Sequence, residues 1–225
     1  FIEPQGFAIM SDIDAEASRK TLKAVDERLN TQYGLVLNNP AFTKYYIQYG
    51  EISTYPGGYK ENAGIFTHNN AWIICAAAYA GEGDQAFKYY SEIAPAFTEE
   101  TSDIHKTEPY VYGQFVEGKD SPFAGRAHVH WLTGTASTVM VGTTEGILGL
   151  NPETKGIVID PSIPSEWKEY TMDKTFRGKK LHVTVKNPNG SEHGVKSVTV
   201  NGTKIEGKLI LDSILKPEND IIIEL

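Results

Sequence analysis

Cysteine is almost absent from this sequence, because Cys75 is the only one among 225 residues. A disulfide within the chain is therefore impossible, which fits a reducing compartment, and we expect a cytoplasmic protein. Cys75 lies inside the apolar run WIICAAAYA, so we interpret it as a buried, unreactive thiol. No apolar stretch reaches the roughly 18 residues that a membrane-spanning helix needs, and we expect no association with membranes.

Positive charge is also scarce, since 21 Lys and Arg residues face 29 Asp and Glu residues, for a net charge of −8. A surface of this sign disfavours general binding to nucleic acids or to anionic membranes. Any site for an anion must therefore be local and built from a few aimed hydrogen-bond donors. The opening residues Phe1-Ile2-Glu3-Pro4 resemble neither an initiator sequence nor a signal peptide, so we expect the chain to begin within a domain.

Several catalytic signatures are missing from the sequence. There is no GxxxxGK[ST] phosphate loop, no HExxH or CxxC metal motif and no GxSxG nucleophile elbow. His128 and His130 stand two residues apart, but no cluster of carboxylates at ligand spacing accompanies them. We therefore expect no metal and no cofactor.

The periodicity of the sequence changes near residue 150. Residues 1–150 carry apolar residues at helical spacing, separated by two long polar segments at 31–69 and 94–133, and segments of that length usually carry function. We predict that Asp84 caps the third of four helices and that Asn70 is able to cap the second. The predicted helices span about 14–30, 71–80, 85–93 and 135–148.

Residues 151–225 show instead the short runs and turn residues that are typical of β-strands, with Asn201-Gly202 as a hairpin signal. Strands are predicted at 156–159, 181–185, 198–200, 204–205, 208–211 and 221–225. Many short strands with such turns indicate a β-sandwich of the jelly-roll kind. Paired helices followed by a sandwich suggest an α/α toroid with a C-terminal β domain, although no internal repeat marks the toroid.

Three short motifs contain candidate binding residues, and GIFTHNNAW is the first. His68 is open to three interpretations: a donor to an anion, a metal ligand, or a side chain satisfied within a loop. Asn69 and Asn70 suit either the cap of the next helix or the binding of sugar hydroxyls. On this segment alone, capping is the stronger interpretation.

The other two motifs are WLTGTA and EPYVY. Thr133 and Gly134 stand at a predicted helix start, where backbone N–H groups and the helix dipole favour an anion, although an ordinary threonine N-cap explains the spacing equally well. Glu108 precedes Tyr110 and Tyr112 across a proline. A carboxylate with aromatic neighbours suits a sugar subsite, and the alternative is a solvated glutamate beside core tyrosines.

The order of these motifs is more specific than any one of them. The chain runs through QGFAIMS, YGLVLNNPAF, YPGGYKENAGIFTHNNAW, HKTEPYVYGQF, GRAHVHWLTGTAS and IDPSIPSEW. In this order they closely resemble the C-terminal part of the inverting disaccharide phosphorylases of glycoside hydrolase family 94, which include cellobiose, chitobiose, laminaribiose and cellodextrin phosphorylases. The resemblance covers essentially the whole chain.

The resemblance implies an architecture and an assembly. Residues 1–150 would form the last helices and the active-site loops of an (α/α)6 catalytic barrel, and residues 151–225 a jelly-roll β-sandwich. The family's general-acid aspartate and a phosphate-binding arginine lie upstream of these motifs, so we expect no catalytic acid in this chain and no activity without the missing N-terminal part. Family members are commonly homodimers, which implies a homodimer here.

The resemblance also assigns roles to individual residues. His68 matches the phosphate-binding histidine of the family's GIFxH motif, and Thr133 with Gly134 matches the phosphate-binding pair of WLTGT. Glu108 and Tyr112 match sugar-contacting positions of EPYxY.

The implied reaction is the reversible phosphorolysis of a β-linked glucosyl disaccharide or oligosaccharide, with the cellobiose or cellodextrin type favoured, to α-glucose 1-phosphate and the shortened sugar. Inorganic phosphate is the co-substrate. An inverting hydrolase needs a carboxylate to activate water, whereas phosphate is already an anionic nucleophile, so the site mainly has to position it. Two alternatives stay open: an inverting glycoside hydrolase on a related barrel, and a non-catalytic sugar-binding fragment.

Overall fold

All α-helices lie before residue 142 and eight of the thirteen strands lie after residue 149, so the chain is mainly helical first and β-sheet second. The computed structural model describes residues 1–225. The helices are α1 Glu3–Met10, α2 Ala15–Leu29, α3 Thr67–Tyr79, α4 Gly83–Ile93, α5 Ser102–His105 and α6 Thr135–Val141. Helix α1 was not predicted from the sequence.

Helix α2 forms as predicted, because residues within the helix or next to it determine both where it starts and which face is buried. The Asp14 carboxylate accepts hydrogen bonds from the backbone N–H groups of Glu16 at 2.9 Å and Ala17 at 3.0 Å. These bonds satisfy two of the N–H groups that a helix start leaves unpaired. The buried apolar face consists of Leu22, Val25 and Leu29.

Helix α3 packs against α1, α4 and α6, and its residues from Asn69 to Ala78 are buried except for Trp72. The prediction that Asn70 caps this helix is wrong, because α3 begins at Thr67 and Asn70 lies within its first turn. The buried Asn70 side chain accepts from the N–H of Leu35 at 2.7 Å and donates to the carbonyls of Leu35 at 2.9 Å and Phe66 at 2.8 Å. A tertiary contact has therefore taken the place of a local cap.

Helix α4 also differs from its prediction at the N-terminus. Glu82 occupies the N-cap position, and Asp84 is inside the helix. The Asp84 carboxylate accepts from the backbone N–H of Ser165 at 2.7 Å and from its hydroxyl at 2.9 Å. Asp84 therefore joins the helical part of the chain to the β part, where the prediction made it a cap.

The last predicted helix, 135–148, is present but changes its winding. It is α-helical over α6 and π-helical over Gly142–Ile147. The π-helical segment begins close against α3, since a Cβ atom on Gly142 would lie 3.1 Å from the Sγ of Cys75.

The two segments predicted as loops, 31–69 and 94–133, contain short strands. These are β1 Asn30–Thr31, β2 Gly34–Leu35, β3 Ile65–Phe66, β4 Gly113–Val116 and β5 Ala127–His130. Strands β3, β4 and β5 form an antiparallel sheet in that order, in which Phe115 pairs with both Phe66 and His128. Runs of two to four residues are too short to show alternation, so the sequence did not reveal them. Because β3 leads directly into α3 and β5 stands just before α6, this sheet lies beside the starts of both helices.

The β part contains all six predicted strands and two that were not predicted. It consists of β6 Leu150–Glu153, β7 Gly156–Ile159, β8 Glu169–Phe176, β9 Lys179–Lys186, β10 Ser197–Val200, β11 Thr203–Ile205, β12 Leu209–Leu211 and β13 Glu218–Glu224. Strand β8 escaped prediction because Phe176 is its only buried residue. The hairpin at Asn201-Gly202 is confirmed, with φ values of 50° and 80° that suit a two-residue turn.

These strands form two sheets. The larger has the order β11-β10-β13-β9-β8, with β13 and β9 parallel and the other neighbours antiparallel. The smaller has the order β12-β7-β6. Inward residues of both sheets belong to one apolar core, which also includes the buried faces of α2, α3 and α4. No helix is both long enough and apolar enough to cross a membrane.

Candidate active site

His68 is half-buried in the first turn of α3, where α3 meets the start of α6. Its Nε2 atom lies 2.8 Å from the hydroxyl oxygen of Thr138. The Thr138 oxygen also lies 3.2 Å from the carbonyl of Gly134, which accepts from the hydroxyl of Ser137 at 2.9 Å. The donor in the contact between Nε2 and Thr138 depends on the tautomer of His68. In the tautomer where Thr138 donates to Nε2, the imidazole hydrogen is on Nδ1 and is left for a ligand.

Gly134 stands directly beside this imidazole. A Cβ atom at residue 134 would lie 2.8 Å from the Cε1 of His68 and 3.2 Å from its Nδ1. The backbone of Gly134 has an ordinary φ of −79°, so the close approach of the ring, rather than an unusual turn, requires a glycine here. Two motifs that are far apart in the sequence thus meet at van der Waals distance.

Thr133 is connected to the helix of His68 by a chain of hydroxyl groups. Its Oγ1 lies 2.6 Å from the Oγ1 of Thr135, which lies 2.7 Å from the Oγ1 of Thr67. Thr67 in turn donates to the carbonyl of Gly113 at 2.6 Å. Thr67 and Thr135 are 2% and 0% exposed, so solvent does not compete for these bonds. These hydroxyl hydrogen bonds join α3, β4 and the start of α6.

Glu108 lies next to the residues that precede this cluster. Its Oε1 accepts from the indole N–H of Trp131 at 3.2 Å, and its Oε2 is 3.3 Å from the Nδ1 of His130. Glu108's own backbone N–H and the Trp131 indole lower the pKa of the Glu108 carboxyl group. The side chain is 41% exposed, although its Oε2 atom is buried, and the carboxylate lies beside Trp131, which stands two residues before Thr133.

Tyr112 lies in different surroundings from Glu108. Its ring is half-buried against the apolar core, and burial, with a smaller effect of Tyr90, raises the pKa of its phenol group. Thus His68 lies beside Gly134, and Thr133 is joined to the helix of His68 through hydroxyl contacts. Glu108 contacts Trp131, two residues before Thr133, whereas Tyr112 packs against the core.

Comparison with protein families divides the chain at the same place as the change from helix to strand. Residues 1–149 match the catalytic domain of the glycosyl hydrolase 94 superfamily. The chain belongs to this superfamily. Residues 150–205 match the C-terminal domain of glycosyl hydrolase family 65.

Several curated relatives of this glycosyl hydrolase 94 chain are phosphorylases. It is 36% identical over 209 residues to the N,N'-diacetylchitobiose phosphorylase of Vibrio proteolyticus, covering 92% of this chain and 26% of the relative. It is 33% identical to the solabiose phosphorylase of Paenibacillus borealis, covering 92% of this chain and 27% of the relative. The chain therefore spans about a quarter of the length of these relatives.

Among solved structures, a family GH92 α-mannosidase from Bacteroides thetaiotaomicron aligns with 98% of this chain and 23% of its own. The sequence identity is 15% and the TM-score is 0.35. A likeness of this size carries no argument about the fold or the activity.

Reasoning from the sequence missed Thr67 and Thr138 as neighbours of the glycosyl hydrolase 94 motifs. It included Thr135 only as part of WLTGTA and considered His130 only as a metal ligand. One signal was available for Thr138, because residues four apart on a helix share a face and Thr138 lies four after Gly134. Thr67 and His130 acquire their roles from contacts that no local spacing predicts.

His128 is occupied by contacts within the chain. Its Nε2 lies 2.6 Å from the Oε1 of the buried Glu117, whose other oxygen accepts from Ser121. Its ring stacks on Phe115 with centroids 4.9 Å apart. No group of three or more His, Cys, Asp and Glu side chains is arranged to hold a metal ion.

Proposed function

We propose that the full-length protein is an inverting glycoside phosphorylase, which cleaves a β-linked disaccharide or oligosaccharide with phosphate to give a sugar 1-phosphate. The observation that carries this proposal is the close approach of His68 to Gly134, together with its hydrogen bond to Thr138, at the junction of α3 and α6. Relatives named for phosphorolysis of N,N'-diacetylchitobiose, of solabiose and of a glucosyl glucuronide support it.

The proposed phosphate site consists of His68, Thr133 and Gly134. In the proposed site Thr138 donates to Nε2 of His68, so that Nδ1 carries the hydrogen that the imidazole donates to phosphate, and Gly134 keeps the space beside the ring clear of a side chain. A few aimed polar groups suffice to hold an anion, which is compatible with a chain of net charge −8. These residues hold phosphate in line for attack on the sugar, while an acid supplied from outside this chain protonates the leaving oxygen.

The proposed sugar site centres on Glu108. Its carboxylate has its charge stabilised by hydrogen bonding and would accept from sugar hydroxyls, although Oε2 is buried within this chain. Trp131 is 66% exposed and gives an apolar face beside the carboxylate. Tyr112 stays a proposed sugar contact on the strength of its motif. The sequence favoured a cellobiose or cellodextrin substrate, but the relatives act on varied disaccharides, so the proposal is kept at the class of β-linked disaccharides.

The wider organisation is part of the same proposal. The helices would complete an (α/α)6 barrel together with an N-terminal part of the enzyme, and the two sheets would form a jelly roll. We propose a cytoplasmic homodimer, a location supported by the single, unpaired Cys75. Light scattering on the full-length protein would measure its assembly.

The decisive experiment incubates the full-length protein with N,N'-diacetylchitobiose, cellobiose and solabiose, with and without phosphate. Release of a sugar 1-phosphate that requires phosphate is the expected result. Equal cleavage without phosphate would favour an inverting hydrolase, and binding without cleavage would favour a sugar-binding protein. His68→Ala should raise the KM for phosphate strongly, whereas His182→Ala, at an exposed position on β9, should not.

A further inference from the structure

The hydroxyl chain between Gly113 and Thr133 has a fixed direction. A carbonyl oxygen has no hydrogen to give, so Thr67 must donate its single hydroxyl hydrogen to Gly113 across 2.6 Å. Thr67 then has only lone pairs for Thr135, and Thr135 must donate across the 2.7 Å contact. Each hydroxyl has one hydrogen, so each step determines the next.

The same count of hydroxyl hydrogens determines the direction of the last hydrogen bond, between Thr133 and Thr135. Because the hydrogen of Thr135 is used on Thr67, the 2.6 Å contact between Thr133 and Thr135 needs the hydrogen of Thr133. The Thr133 oxygen also accepts the backbone N–H of Thr135 at 3.2 Å. What Thr133 has left for a ligand is one lone pair and no hydrogen.

The burial of the chain keeps this direction in place. Thr67 is 2% exposed and Thr135 is fully buried, so no water replaces a lost partner if a hydroxyl turns. Reversing any one hydroxyl would leave two oxygens 2.6 to 2.7 Å apart with no hydrogen between them. An unsatisfied buried polar contact of this kind is costly.

We propose that Thr135 is a positioning residue that makes Thr133 a hydrogen-bond acceptor, so that the site takes a protonated oxyanion, hydrogen phosphate, through its P–OH group and discriminates against sulfate. Hydrogen phosphate and sulfate carry the same charge of −2 and have nearly the same shape, but sulfate has no hydrogen to donate. The inference rests on the proposed function, since it concerns the same phosphate site, and it adds which form of the anion that site selects.

The test measures anion binding to the full-length protein by calorimetry at neutral pH, with phosphate, arsenate and sulfate as the probes. Phosphate and arsenate, which both carry a proton, should bind alike, and sulfate should bind at least about tenfold more weakly, the factor that ~1.4 kcal/mol corresponds to. Thr135→Val frees the hydrogen of Thr133, so the ratio of sulfate to phosphate dissociation constants should fall toward one. Thr135→Ser keeps a hydroxyl group at residue 135, so the hydroxyl hydrogen bonds and the wild-type ratio of the two dissociation constants should both be kept.

A merely structural role for Thr135 would weaken both anions by the same factor and leave the ratio unchanged in Thr135→Val, which would overturn the inference. Sulfate that binds wild-type protein as tightly as phosphate would overturn it as well. Both outcomes are read from binding alone, so they are independent of whether the protein catalyses phosphorolysis. Anion discrimination without phosphate-dependent cleavage would support the inference and contradict the proposed function, and a wild-type protein that binds neither anion would contradict both.

Discussion

The imidazole Nε2 of His68 and the hydroxyl of Thr138 lie 2.8 Å apart, although 70 positions separate the two residues in the sequence. Because Thr138 also bonds back to Gly134, one side chain fixes the ring of His68 against the backbone of its neighbouring motif. The orientation of the imidazole is thus set from α6 and not from its own helix. Second contacts of this kind determine which nitrogen of a histidine meets its ligand.

Thr138→Val should therefore raise the KM for phosphate in the full-length enzyme by about fivefold, the effect of roughly 1 kcal/mol for one lost hydrogen bond. The KM for the sugar should change little, because the hydroxyl of Thr138 bonds to His68 and Gly134 and makes no hydrogen bond to Glu108. Steady-state kinetics with each substrate varied in turn would measure both constants.

Two matched variants control this prediction. Thr138→Ser keeps the hydroxyl and should behave like the wild type. Thr144→Val removes a hydroxyl that bonds to the Met140 carbonyl further along the same helical stretch, and it should leave the phosphate KM unchanged. An equal effect of Thr138→Val and Thr144→Val would contradict a specific role for Thr138.

Gly134→Ala should disrupt phosphate use more strongly. The new methyl group would lie 2.8 Å from the Cε1 of His68, so the ring has to move from its contact with Thr138. Displacement of a positioning residue by an ångström lowers rates by about 100-fold, and we expect a loss of about 10- to 100-fold in kcat/KM for phosphate.

Gly142→Ala is the matched control for this change, since it crowds Cys75 on α3 instead of His68. It should lower the Tm without altering the KM for phosphate. A Gly134→Ala enzyme with wild-type phosphate kinetics would show that the ring tolerates a neighbouring side chain.

Sequence reasoning succeeded where one stretch of chain contains all the information. The Asp14 cap and apolar stripe of α2, and the Asn201-Gly202 hairpin, were predictable because each involves only near neighbours. Asn70 and Asp84 look like caps by the same local rules, yet their side chains reach Leu35 and Ser165. For Asn70 the partner is a buried backbone group, which outweighs a cap of about 1 kcal/mol, and no single sequence shows where such distant partners will lie.

The candidate site was predictable to a similar extent. The motifs named His68, Thr133, Gly134 and Glu108, and the structure places His68 beside Gly134 and Glu108 beside Trp131. The hydroxyls of Thr67 and Thr135 became visible only when the distances between three elements were known. Threonine is common on surfaces and at helix caps, so a threonine in the sequence does not by itself indicate a buried chain of hydroxyl hydrogen bonds.

The role of Asn70 leads to a stability prediction. Asn70→Ala would leave the buried N–H and C=O of Leu35 without partners and should lower the free energy of unfolding by about 2–4 kcal/mol. Asp14→Ala removes a true N-cap and should cost about 1 kcal/mol. Urea unfolding of both variants would compare them directly. Equal losses would indicate that Asn70 contributes no more than a cap does.

Glu92 provides a prediction about pH. Burial raises the pKa of Glu92 from its ordinary value near 4.5 to about 7, although Asn30 and Lys88 lower it and Asp26 adds a smaller increase. These groups belong to α2, to the residue that follows it and to α4, so the carboxyl group lies between two helices. A folded-state pKa above the unfolded one means that the native protein holds a proton that the unfolded chain releases.

The contribution of Glu92 to stability is therefore fully present below about pH 4.5 and is lost as the pH rises to about 7. Glu92→Gln keeps a neutral side chain beside Asn30 at every pH, so its unfolding free energy should fall less than that of the wild type over this window. Urea titrations at intervals between pH 4.5 and 8 would measure both slopes. Asp26 should not contribute to the slope in this window. Burial raises the pKa of Asp26, but the hydrogen bond and charge of Lys88 outweigh burial and lower that pKa, so Asp26 titrates at more acidic pH. Parallel slopes for the two proteins would mean that Glu92 is already ionised in the folded state.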